Sequence, residues 1–156
     1  LTLTAPDREL PDVPEIQSDS QEEVSIDKAQ KYYELLKSPL VVMDSGLFIK
    51  SLKGFPGVYT KYALDTIGIE NIVKLLRDDR GAYTQRTVTY IDGLEIKTYK
   101  VHGELLSEPR GENGRDYDKY FKVDGANKTI AEMSDDEKTD MIAVVWKELA
   151  QWLQQK

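Results

Sequence analysis

The run Leu40-Val-Val-Met43, followed directly by Asp44-Ser-Gly46, decides how this 156-residue chain is read. Four apolar residues, two of them β-branched, form a strand buried on both faces, as in a parallel or mixed sheet. Polar residues at the carboxyl end of such a strand lie where open α/β sheets place their ligand chemistry. Asp44 therefore reads either as a ligand-edge carboxylate or as a turn residue ahead of Gly46. Position alone does not separate the two.

Upstream, Ser20-Gln-Glu-Glu23 is a capping box, with Ala29, Tyr32, Tyr33 and Leu36 at i, i+3, i+4, i+7 behind it. That pattern predicts an amphipathic helix over 21–37, ended by Pro39. Pro6, Pro11 and Pro14 keep the preceding chain extended as far as Ile16, and Leu1–Thr4 alternates like a strand end. Downstream, Leu47-Phe-Ile49 leads into Gly54-Phe-Pro-Gly57, and short helices follow over 58–66 and 69–77. From Ala82 the period becomes two. Strands over 82–91 and 94–106 meet at Asp92-Gly93, a strong hairpin signal. Residues 109–118 read as a loop and Tyr120–Val123 as a short strand. A second capping box, Ser134-Asp-Asp-Glu137, starts a last helix with Met141, Val144, Val145, Leu149 and Trp152 as its stripe. The class is α/β with an antiparallel hairpin, in a single domain over 1–156.

Composition narrows the chemistry. The chain has no Cys and one His, so disulfide scaffolds, thiolate zinc sites and thiol nucleophiles are excluded. With 21 Lys+Arg against 28 Asp+Glu, a net charge of −7 opposes general nucleic-acid binding, which needs clustered cations. No apolar run approaches the ~20 residues that span a bilayer. A soluble, cytoplasmic domain without nucleic-acid or membrane partners is expected.

A hydrolase acting on phosphate needs carboxylates for a hard divalent cation, ammonium groups for phosphate oxygens, and a carboxylate to orient water. Asp44 is the best single candidate. Glu15, in a proline-flanked extended segment, and Lys28, Lys61 and Lys138 each read equally well as solvated surface charges. His102 reads as a half-exposed strand residue, and Ser45 has no adjacent base. Tyr117 and Tyr120 flank a glycine-rich loop where a purine could stack.

Read together, five segments resemble the Ham1-like family of inosine triphosphate pyrophosphatases. They are residues 10–18 (LPDVPEIQS), 42–48 (VMDSGLF), 52–59 (LKGFPGVY), 117–121 (YDKYF) and 128–138 (KTIAEMSDDEK). The resemblance implies an elongated mixed β-sheet with flanking helices, two lobes around a central nucleotide cleft, and a homodimer. It also implies Mg²⁺-dependent hydrolysis of ITP, dITP and XTP to the monophosphate and pyrophosphate. Glu15 and Asp44 match the metal-binding acids, with Asp44 also orienting the water. Lys28, Lys61 and Lys138 match phosphate-contacting lysines, Ser45 and Gly46 lie in the substrate-binding DSG stretch, and Tyr117 and Asp118 match the pair that packs against and reads the base.

Four departures accompany the match. The family's T/S-x-N-x-x-K strand and phosphate loop have no counterpart in residues 1–156. Met43 stands where an acid precedes the aspartate. Arg115 replaces the loop aromatic, and Lys119 the proline after Asp118. The base-reading SHR triplet falls at Ile142-Ala143-Val144, so the base would be read otherwise, through Arg115, Asp116 or Trp146. The alternative function is a catalytically impaired member that binds nucleotide or serves as a dimerising structural protein.

Overall fold

The structure, a computed structural model, describes residues 3–7, 9–92 and 95–155. Ser20 caps helix α1 (Gln21–Leu36), its side chain accepting from the Glu23 amide, and Lys37 closes the helix in the left-handed region at φ 51°. Strand β1 (Leu40–Ile49) does not stop at Met43 but continues through Asp44-Ser45-Gly46 to Ile49. Strand β2 (Pro56–Gly57), helices α2 (Thr60–Thr66) and α3 (Ile69–Lys74), and strands β3 (Gly81–Ile91) and β4 (Glu95–Leu105) follow. A 3₁₀ turn at Asp116–Lys119, strand β5 (Phe121–Val123), a second 3₁₀ turn at Ile130–Glu132 and helix α4 (Asp135–Gln154) complete the order. The expected turn glycine Gly93 and the expected strand start Leu94, like Leu1 and Thr2, lie outside the described residues.

The strands run β2-β1-β3-β4-β5, and all four described pairings are antiparallel. The α/β class with flanking helices holds, whereas a parallel or mixed sheet was expected from the apolar run. An apolar run reports burial on two faces, not strand direction. Here α1 covers one face of β1 and β3, while the other packs against α2, α3 and α4.

The two faces differ in chemistry. Residues opposite one another in register share a face. The α1 face carries Asp44, Thr87 and Thr98 in one row and Gly46, Gln85 and Lys100 in the next. Its contact with α1 is polar: Ser25 and Thr89 share a buried 2.8 Å hydrogen bond, and Gln85 Nε2 donates to Glu22 Oε1 at 3.1 Å. The opposite face bears two separate apolar clusters. One gathers Leu47, Ile49, Ile72, Val101, Leu105 and Phe121. The other joins Val88 to Val145 and Leu149 of α4. On α4 the buried stripe is Val145 and Leu149, with Val144 turned outward and 37% exposed.

Gly46 stays in the strand for a packing reason. A Cβ there would lie 2.6 Å from the Gly57 carbonyl oxygen, so only glycine lets β2 approach β1. Among the described residues β2 pairs with β1 only at Leu47 and Phe48, so Leu40–Gly46 has no strand neighbour on that side. A groove of about 740 Å³ runs beside that edge, lined by Leu3, Leu10, Tyr32, Leu36, Leu40 and Val42 among others.

Candidate active site

Asp44 stands mid-strand on β1, facing α1, not at a strand end. Lys28 of α1 reaches down to it, and the extended segment before α1 brings Glu15 to the same ammonium. Lys28 Nζ lies 3.0 Å from Asp44 Oδ1 and 3.0 Å from Glu15 Oε1. The two carboxylate oxygens are therefore within twice that distance of each other. Lys31 fixes the Glu15 segment by donating to the Pro14 carbonyl at 2.5 Å. Asp44 is the more enclosed acid, its side chain 17% exposed against 50% for Glu15. Its Oδ2 is buried and makes no hydrogen bond among the described residues.

Burial alone pulls the Lys28 pKa down. Hydrogen bonds to Glu15 and Asp44, together with their charges, outweigh it, and the net shift is upward. A raised pKa keeps the ammonium charged through neutral pH. Its contribution to stability is lost only as pH climbs past the ordinary lysine value and through the raised one.

Both acids offer hard oxygen donors, and one buried oxygen is left without a partner. Magnesium is held by one or two carboxylates together with waters and substrate phosphates, so this pair fits the ion. Among the described residues no group of three acids or histidines gathers, in keeping with Met43, which is exposed at 49%.

Ser45 and Gly46 are engaged locally. With the Gln21 amide oriented so that its oxygen meets donors, that oxygen accepts from both backbone N–H groups at 3.1 Å. Lys61 sits apart from the acid pair. Its side chain is 92% exposed and bonded to Asp65 Oδ2 at 2.8 Å, and that hydrogen bond is the main reason its pKa is raised.

A second group forms around the 3₁₀ turn. Asp118 Oδ2 accepts from the Arg115 amide at 3.2 Å, and Lys138 Nζ donates to the Asn113 carbonyl. Burial pushes the Asp118 carboxyl above its usual range, partly offset by the Arg115 hydrogen bond and by the charges of Lys138 and Arg86. Tyr117 is pushed up to about 12, chiefly by burial and then by Asp118, with Arg86 opposing. Tyr120, expected as a stacking surface, is instead buried in the larger apolar cluster. Arg115 and Asp116 are exposed, and Trp146 packs toward the smaller cluster.

One residue at the site was missed from the sequence, Gln21. Gln21 follows an N-cap serine and reads as an ordinary first-turn residue.

A model of the Ham1 family matches residues 2–143. The dITP/XTP pyrophosphatase of Hyperthermus butylicus is 40% identical over 147 residues, covering 90% of this chain and 77% of that protein. The dITP/XTP pyrophosphatase of Saccharolobus solfataricus is 44% identical over 128 residues, 80% of this chain and 67% of the relative. Among solved structures, a HAM1 protein from Coxiella burnetii superposes with a TM-score of 0.85 at 26% identity, covering 94% of this chain and 82% of that one. The Ham1 protein of Staphylococcus aureus gives 0.81 at 30% identity, covering 92% and 80%.

Proposed function

This chain belongs to the Ham1 family, and from that premise we propose that it hydrolyses deaminated purine nucleoside triphosphates (dITP, XTP and ITP) to the monophosphate and pyrophosphate. Relatives at 40–44% identity carry the name dITP/XTP pyrophosphatase. The observation that carries the reading is the pair of acids brought to one ammonium, with Asp44 Oδ2 buried and unpartnered.

In the reaction, water adds to the α-phosphorus, the bond from that phosphorus to the bridging α–β oxygen breaks, and pyrophosphate leaves. Asp44 orients the water and takes its proton as the new bond to phosphorus forms, through the oxygen that has no protein partner. Glu15 and Asp44 would hold Mg²⁺, which when bound supplies Lewis-acid neutralisation of the phosphate oxygens. Lys28, freed from the acids as the substrate enters, turns its ammonium to those oxygens. Charge then accumulates on the leaving pyrophosphate, and Lys61 and Lys138 stabilise it from outside the acid pair. Tyr117 and Asp118 receive the base, and Ser45 and Gly46 contact substrate once Gln21 withdraws. The proposal places this activity in a single domain over 1–156 that works as a cytoplasmic homodimer, as the family resemblance implies.

Met43 favours a second reading, in which the chain binds nucleotide or dimerises without turnover. One assay decides. Purified protein with Mg²⁺ and dITP, XTP, ITP or ATP is scored for monophosphate and pyrophosphate. Turnover of the first three above ATP is expected, and no turnover of any of them overturns the catalytic reading.

A further inference from the structure

Lys28 Nζ lies between the two acids that the reading above assigns to a metal. It is 3.0 Å from Glu15 Oε1 and 3.0 Å from Asp44 Oδ1, so a single ammonium engages both carboxylates. The other Asp44 oxygen, Oδ2, is closed to solvent and makes no hydrogen bond among the described residues. A hydrated cation approaching Asp44 therefore meets the oxygen to which the ammonium already donates. Two cations on the same lone pairs repel, and each weakens the other's hold.

The acids do not owe their places to Lys28 alone. Asp44 is fixed by the pairing of β1 with β3, opposite Thr87, and Lys31 ties down the Glu15 segment through the Pro14 carbonyl. Helix α1 is pinned to the sheet by the hydrogen bond between Ser25 and Thr89. Lys28 can thus leave by turning its own flexible stem while the helix stays in place. Its side chain is 24% exposed and borders solvent, where a ligand would enter. What can draw the ammonium out is a group richer in negative charge than two carboxylates. A triphosphate is such a group, and its oxygens suit a lysine point charge.

We propose that Lys28 is a tethered competitor for the metal: it keeps a free divalent ion off Glu15 and Asp44, and yields that place only when phosphate oxygens draw the ammonium away. The ligand of this site is then the metal–triphosphate complex and not the metal alone. The inference rests on the nucleotide reading above and adds the order in which the site is filled.

The test reads binding and not turnover. Mn²⁺ stands in for Mg²⁺ as the metal probe, and the nucleotide is the α,β-methylene analogue of dITP, which is not cleaved at that bridge. Without nucleotide, Lys28→Met is expected to bind Mn²⁺ at least about tenfold more tightly than wild type, read from the paramagnetic resonance of the free ion. The gain should persist in about 0.5 M KCl, which screens through-space repulsion, and vanish when Asp44→Asn is added. With Mg²⁺ present, the same Lys28→Met should bind the analogue at least about tenfold more weakly by calorimetry. Opposite shifts in the two affinities support the handover. Loss of both overturns it, because Lys28 then only holds the site together. Equal Mn²⁺ affinity in wild type and variant overturns it, as does a gain that is lost in salt or survives Asp44→Asn. Unchanged binding of the analogue also overturns it, since the ammonium then never moves to the phosphates. If Lys28→Met does not fold, Lys28→Gln is read against the same expectations. A chain that cleaves triphosphates without the Mn²⁺ gain keeps the hydrolytic reading and loses this one; opposite shifts without cleavage sink only the hydrolytic reading.

Discussion

Asp44 combines two properties that rarely coincide without a reason: a charged side chain in the middle of a paired strand, and one carboxylate oxygen buried with no hydrogen bond. Replacing it by Asn keeps the shape and an acceptor for Lys28 but removes the charge. Asp44→Asn is expected to lower kcat by about 100-fold or more, as loss of a positioned general base or metal ligand does. The melting temperature should move by only a few degrees, because the ion pair is partly solvated. Parallel rate and thermal-melt measurements check both. Tyr117 makes a different kind of prediction. Burial raises its pKa to about 12, so between the ordinary tyrosine value near 10 and about 12 the folded chain holds a proton that the unfolded chain has lost. Stability should therefore fall as pH rises through that window. Alkaline difference absorbance should show a phenol titrating near the top of it, and Tyr117→Phe should remove that late fraction.

At the scale of elements, close approach explains glycines that otherwise look functional. Gly46→Ala would push a methyl to within 2.6 Å of the Gly57 carbonyl, and the β1–β2 contact must open to take it. The expected cost is about 1–3 kcal/mol in denaturant unfolding, together with lost activity from a displaced Asp44. Ser134→Ala removes the cap of α4, where Ser134 Oγ accepts from the Glu137 amide at 3.2 Å, and should cost about 1 kcal/mol. Both capping boxes, at Ser20 and Ser134, were legible because a cap is local: the partners sit three residues apart. The β3–β4 hairpin and α1 to α4 were legible for the same reason, through period and breakers. The end of β1 was not. Asp-Ser-Gly is ordinary turn chemistry, and what keeps it extended is its pairing with β3, which is far along the chain. Of the acid pair, the family resemblance indicated the partners, whereas the lysine between them is a fact of tertiary packing.

For the molecule as a whole, the two faces of the sheet differ in chemistry. The α1 face carries a layer of hydroxyl and amide groups, with Ser25, Thr87, Thr89, Gln21 and Gln85 buried there, and ends at the acids. The opposite face carries the apolar clusters. Lys28, meanwhile, gives the resting protein an internal counter-ion. Folds built around a metal collapse when it is stripped away; a pair of carboxylates that already shares one tethered ammonium lacks that dependence. Dialysis against a chelator should abolish turnover yet leave the melting temperature within about 2 °C of its value in magnesium. A protein so arranged is expected to survive emptying and refilling, its readiness supplied by a side chain and not by the solution around it.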